Sequence, residues 1–226
     1  MDIRWDVVVR YLPFLVEGVP MTLLLSGAGI GIALVWGLFL ALGRLSQRAW
    51  LNRPAAAYIT FFRGTPLLVQ IMLIHFAAPQ LFGYRPLPPL VDGIVALGLN
   101  SSAYVAEIYR AGILSVPHGQ MEAARSLGMS YGLAMRLVVL PQAFRVAVPP
   151  LFNEFIALTK DSSLVFVLGV AELMSRGSVS AGNAFRYLEI WVPVALLYLL
   201  LTSVFTVFAS AVERRLGVHD QRPQLA

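Results

Sequence analysis

Glu122-Ala123-Ala124-Arg125-Ser126-Leu127-Gly128, followed after nine residues by Val138-Val139-Leu140-Pro141, is a polar, small-residue, Gly-broken stretch between two hydrophobic blocks. Ala123 and Ala124 let a helix lie close against another surface. Gly128 tolerates a left-handed or sharply bent backbone, so a short helix ends there and a second begins. Glu122, near the start of the short helix, is favoured by the helix dipole and is placed to pair with a partner's Arg or Lys. The plainer alternative is an amphipathic linker. In both readings the stretch divides long apolar runs, and those runs define the fold.

A membrane span needs about 20 mostly apolar residues to cross a hydrocarbon core of roughly 30 Å. Upstream of the polar stretch, a run near Val91–Tyr109 carries Glu107, and a run from about Pro54 to Pro79 is interrupted by Arg63-Gly64-Thr65-Pro66. Before these, Val19 to Gly43 is free of charge. Gly27, Gly29 and Gly31 in that run suit close helix packing. Downstream, about Leu137 to Thr159 carries Arg145 and Glu154, and Ile190 to Val212 is again free of charge. Ser162–Ala171 is apolar but too short to cross, and reads as a re-entrant or interfacial piece.

Composition agrees. The chain has 226 residues, 58% of them hydrophobic and 13% charged, and a mean hydropathy of +0.74. Soluble domains are nearer a quarter charged. Residues 1–18 mix Asp2, Arg4, Asp6, Arg10 and Glu17, with no cleavable signal pattern, so the first span itself targets the chain. The net charge of +5 reads as basic loops between spans rather than as a nucleic-acid surface. Arg44, Arg48 and Arg53, then Arg110, Arg125, Arg136 and Arg145, then Arg214, Arg215 and Arg222 fall on one side if there are five spans. By the positive-inside bias that side is the cytoplasm, with the N-terminus outside and the C-terminus inside. A sixth span through 162–175 would put the basic tail outside.

Several chemistries are excluded. Cysteine is absent, which removes disulfides, thiolate metal sites and thiol nucleophiles. The single lysine, Lys160, is not in a phosphate-binding Gly-x-x-x-x-Gly-Lys-Ser/Thr pattern, so the chain is not itself an ATPase. His75, His118 and His219 lack metal-ligand spacing. No linker or appended domain appears, and the chain reads as one domain over 1–226, with its core at about 18–215.

The opening stretch resembles the EAA loop of bacterial ABC import permeases, which grips a cytoplasmic ATPase; Val138 replaces the usual Ile. The rest of the chain is similar to permeases of polar amino acid importers of the histidine/glutamine/arginine type. The matching segments are Arg63-Gly64-Thr65-Pro66-Leu67-Leu68-Val69-Gln70, Leu99-Asn100-Ser101-Ser102-Ala103-Tyr104, Glu107 with Arg110-Ala111-Gly112-Ile113, Asn153-Glu154-Phe155-Ile156 and Lys160-Asp161-Ser162-Ser163-Leu164. Met121 and Ser162 depart slightly from the family pattern.

The resemblance implies an all-α integral membrane protein of the type I ABC importer permease fold. It has five transmembrane helices, a cytoplasmic coupling loop at about 115–137 and a short re-entrant segment. It also implies two ATPase subunits carrying ATP and Mg, a second permease copy or paralogue, a soluble substrate-binding protein and a bacterial inner-membrane location, with no cofactor in this chain. Glu122, Ala123, Ala124, Gly128, Leu140 and Pro141 are the expected ATPase-coupling residues.

Ionisable residues within a membrane are functional candidates by default. A zwitterionic amino acid needs an acceptor for its ammonium, from Glu154 or Asp161, and a donor for its carboxylate, from Lys160 or Asn100. With Ser102 these form the expected substrate path. The alternative is a structural Lys160–Asp161 or Lys160–Glu154 pair. Arg63 and Glu107 are expected to pair structurally, with Arg110 competing. The rival functions are an ion-coupled secondary transporter, which typically shows inverted repeats and more spans, and a non-transporting anchor for an ATPase, which has little reason to carry buried charges.

Overall fold

The computed structural model describes residues 4–216; the tail with Arg222 and His219 lies outside them. The described residues contain eleven α-helices. α1 is Trp5–Val16 and α2 is Val19–Leu45. α3 is Ala49–Gly64, α4 is Leu67–Met72 and α5 is Ala78–Phe82, with a π-helical turn at Leu73–Ala77 between the last two. α6 is Pro89–Leu114, α7 is His118–Ser126 and α8 is Tyr131–Ala134. A π-helical turn, Met135–Val139, leads into α9, Leu140–Asp161, and a 3₁₀ turn, Ser162–Leu168, follows. α10 is Leu173–Ala184 and α11 is Tyr187–Arg215.

Trp5–Leu45, Pro89–Leu114, Tyr131–Leu168 and Tyr187–Arg215 are long and apolar enough to cross a membrane, and the bent pair Ala49–Gly64 with Leu67–Phe82 passes the same test when its two helices are taken together, giving four spans, or five with that pair counted as one. At 12 residues, α10 is only about 18 Å long, too short to add a sixth.

The bend is the sharpest feature, at 109°. Pro66 has no N–H to continue the helical ladder, and the residue before a proline is pushed to extended backbone; Thr65 adopts φ −121°, ψ 147°. The carbonyls stranded at the end of α3 need other donors. Gln70 Nε2 donates to Phe62 O at 2.9 Å and to Thr65 Oγ1 at 2.8 Å. Asn100 Nδ2, from α6, donates to Gln70 Oε1 at 2.9 Å and to Phe62 O at 3.3 Å.

α2 and α6 run in the same direction and form the centre of the fold. Gly29 meets Leu97, Gly98 meets Ile32 and Gly37 meets Val105, and a Cβ on Gly98 would come within 2.7 Å of Ile32. Small residues give membrane helices this approach, where no hydrophobic force draws helices together. Of the three glycines expected to pack, only Gly29 does so; nothing lies within 4 Å of a Cβ built on Gly27 or Gly31. Leu25, Ile71, Leu97, Leu158 and Val165 join α2, α4, α6, α9 and the 3₁₀ turn in one core.

α1 and α10 pack against α11 and against each other. Glu172 caps α10: its carboxylate accepts from Met174 N–H at 2.8 Å, Ser175 N–H at 2.6 Å and Tyr198 Oη–H at 3.0 Å. Burial pushes the Glu172 carboxyl above its ordinary value, and these three donors oppose that rise. Arg176 ties α10 to the α1–α2 junction through Glu17 at 2.7 Å and Phe14 O at 3.2 Å.

Candidate functional site

The Glu122–Gly128 stretch forms α7 and its end. Ala124 is buried against the body of the chain, while Glu122, Ala123 and Arg125 are exposed. Leu127 N–H donates to Ala123 O, Gly128 N–H to Arg125 O and Met129 N–H to Ala124 O. The last two bonds form a Schellman closure, in which the residue after the helix takes a left-handed conformation. That residue is Gly128, at φ +86°. Ser130 then caps α8 by accepting from Leu133 N–H at 3.4 Å. Leu140 and Pro141 follow the π-helical turn and are exposed at the start of α9. Leu127, at the end of α7, is 82% exposed, a lone apolar side chain in a polar stretch that the sequence reading did not single out.

A cavity of about 450 Å³ lies between the end of α3, α6 and α9, and Arg63, Tyr104, Glu107, Ser115, Pro150 and Glu154 are among its lining residues. Along α6 it reaches from Tyr104 to Ser115, about 16 Å, ending beside the turn into α7. Arg63 holds its guanidinium 5.4 Å from the centre of the Tyr104 ring, a cation–π distance. Glu154 enters the same cavity from α9. The α3 wall thus carries the Arg63 cation, the α6 wall the Glu107 carboxylate, which is paired with Arg110, and the α9 wall the Glu154 carboxylate.

The expected Arg63–Glu107 pair does not form and is corrected. Glu107 Oε2 accepts from Arg110 Nη2 at 2.7 Å and Nε at 3.0 Å, and Glu107 Oε1 lies 4.0 Å from Arg44 Nε. Arg110 is three residues along the same helix and so shares its face. Arg63 stands at the bend, which turns it toward Tyr104.

Lys160 lines a separate hollow of about 300 Å³ with Ser163, Met174, Trp191 and Tyr198. Asp161 is exposed at the end of α9, two helical turns beyond Glu154 on the same face. Among the described residues, neither Lys160–Asp161 nor Lys160–Glu154 is joined by an ion pair within 4 Å. Asn100 and Ser102 are buried, not open to the cavity. Both amide hydrogens of Asn100 serve the bend, and Ser102 Oγ donates to Leu99 O at 2.7 Å and lies 3.0 Å from Tyr58 Oη. His75 Nδ1 lies 2.6 Å from Asp92 Oδ2. No group of three metal-ligating side chains occurs among the described residues.

The family described as binding-protein-dependent transport system inner membrane component matches residues 33–218. The chain is 41% identical over 219 residues to the glutamine transport system permease protein GlnP of Escherichia coli, covering 96% of this chain and 100% of that one. It is 38% identical over 220 residues to the arginine transport system permease protein ArtQ of Bacillus subtilis, covering 97% and 100%. A crystal structure of an amino acid ABC transporter with histidines superposes with a TM-score of 0.89 at 42% identity, covering 95% of this chain and 100% of that one. The methionine ABC transporter MetNI, at 22% identity and a TM-score of 0.70, shares the fold.

Proposed function

Because the chain belongs to the inner-membrane components of binding-protein-dependent transport systems and is the permease subunit of an amino acid ABC importer, we propose that the cavity between Arg63 and Glu154 is the inner half of its substrate path. The ATPase is a separate subunit, and a binding protein delivers the substrate. The observation that carries the proposal is the placing of a cation and a carboxylate on different walls of one cavity that ends beside the coupling segment. A zwitterionic amino acid presents the matching charges: its carboxylate toward Arg63, its ammonium toward Glu154. Asp161, two turns further along the Glu154 face, and Lys160 in the adjoining hollow extend the polar track away from α7. Asn100 and Ser102 support the path by holding the bend and the α3–α6 contact.

The full assembly pairs this permease with a second copy or a paralogue and with two ATPase subunits. Relatives are named for glutamine, arginine and cystine, which supports a polar amino acid as the cargo. The basic segments face the cytoplasm, the N-terminus lies outside and the C-terminus inside. Glu122, Ala123 and Arg125 meet the ATPase, while Ala124 seats α7 on the chain and Gly128, Leu140 and Pro141 set its angle. ATP binding closes the ATPase pair, and the rigid coupling segment carries that motion to α9. The cycle is driven by the different affinities of the two states for ligand and nucleotide.

The test uses the cysteine-free chain. Val146→Cys, on the cavity wall, should react with a membrane-impermeant thiol reagent from the cytoplasmic side, and the transported amino acid should slow that reaction. Reaction at an unchanged rate with saturating amino acid would remove the cavity from the path.

A further inference from the structure

Trp5 and Leu12 of α1 and Leu188, Val192, Leu196 and Leu200 of α11 wall an apolar groove of about 540 Å³. From Leu188 to Leu200 the groove follows about 18 Å of helix, somewhat more than half of a hydrocarbon core of roughly 30 Å. It is long enough for one extended acyl chain from one leaflet. Its walls stay exposed in the folded chain: Leu196 and Leu200 are each 60% exposed or close to it.

The mouth of the groove narrows the choice of ligand. Arg4 Nη2 pairs with Asp6 Oδ2 at 2.7 Å, and Arg186 Nη1 lies 3.7 Å from Glu189 Oε1. The Arg4 backbone N–H donates to Glu189 Oε1 at 3.4 Å and brings the two pairs to the same end. Trp5 and Tyr187 stand exposed at that end, as aromatic residues do at the membrane–water interface. Two cations and two carboxylates therefore edge an acyl-sized groove at interfacial depth. A purely anionic headgroup would meet the exposed Asp6 carboxylate with the buried Glu189 charge behind it; a headgroup with a phosphate and an ammonium finds a partner for each.

We propose that this groove holds one zwitterionic phospholipid of the phosphatidylethanolamine type. Its phosphate lies toward Arg4 and Arg186, its ammonium toward the exposed Asp6, while the buried Glu189 holds the two arginine segments together, and one acyl chain lies between α1 and α11. The other conceivable occupant is a second copy of this chain. Covering the Arg4–Asp6 pair, more than half exposed on both side chains, with protein would strip it of water at a cost that a hydrated headgroup avoids.

The intact transporter, purified in detergent, should retain one phosphatidylethanolamine per permease copy by native mass spectrometry, in preference to phosphatidylglycerol by about tenfold (about 1.4 kcal/mol). Leu196→Trp, which fills the groove, should abolish retention; if that variant fails to assemble, Val192→Phe gives the same readout. The double variant Arg186→Gln with Glu189→Gln should keep lipid binding but lose the preference. Equal retention in the filled variants, or a preference for phosphatidylglycerol, would overturn the proposal. So would a disulfide between copies through a single Val192→Cys in native membranes, because a second copy would then occupy the groove.

Discussion

Asn100 on α6 donates to Gln70 Oε1 at 2.9 Å and so holds the inside of the bend between α3 and α4. Gln70 in turn bonds the end of α3 through Phe62 O and Thr65. The apolar run that opens toward the cavity at Arg63 is thus fixed by two amide side chains, one of them from another helix.

Asn100→Ala should leave Gln70 Oε1 without its donor, at about 1–3 kcal/mol, while Phe62 O keeps the Gln70 amide. The purified subunit should melt earlier and take up substrate more slowly. KM for the amino acid should stay near wild type, because Asn100 does not open on the cavity. A raised KM with unchanged melting would return Asn100 to the substrate path.

Gly128→Val should force a β-branched residue into a left-handed backbone, at about 1–2 kcal/mol. We expect α7 to lose its closing turn, with substrate-stimulated ATP hydrolysis falling together with uptake while membrane insertion persists. Gly128→Asn should be milder, since Asn visits this conformation. ATP turnover and uptake in proteoliposomes check both variants.

Glu107 and Arg110 should behave as a coupled pair in a double-mutant cycle on thermal stability, with a coupling of about 0.5–1 kcal/mol. Glu107 and Arg63 should be nearly additive, within about 0.5 kcal/mol. The reverse ranking would restore the Arg63–Glu107 pair.

Glu172 should make stability depend on pH. Burial holds its carboxyl above the ordinary value, so its favourable contribution is complete below the unfolded value of about 4.3 and is lost as pH rises through the folded value. The melting temperature of the wild type should therefore fall relative to Glu172→Gln between pH 4 and the neutral range. A constant difference across that range would contradict the sign.

The spans were legible because charge-free runs such as Val19–Gly43 and Ile190–Val212 need no tertiary information. α1 and α10 were not. α10 contains three serines and two glycines among its twelve residues, and its start depends on the Glu172 cap and the Tyr198 hydroxyl across the fold. The interruption at Arg63–Pro66 was visible, but not that Gln70, and Asn100 from α6, hold the 109° bend. The Arg63–Glu107 expectation matched depth in the membrane, and both side chains line one cavity, but it missed that Arg110 on the same helix face takes Glu107 first. Gly128 was readable because the need for a left-handed residue is local.

The central claim, that the amino acid passes Glu154 in the cavity, is tested most directly by uptake kinetics of Glu154→Gln in proteoliposomes with the partner ATPase and binding protein. The account predicts a KM raised about tenfold or more, equivalent to about 1.4 kcal/mol or more, with ATPase association and basal ATP hydrolysis retained. Wild-type KM and substrate range in Glu154→Gln would contradict it.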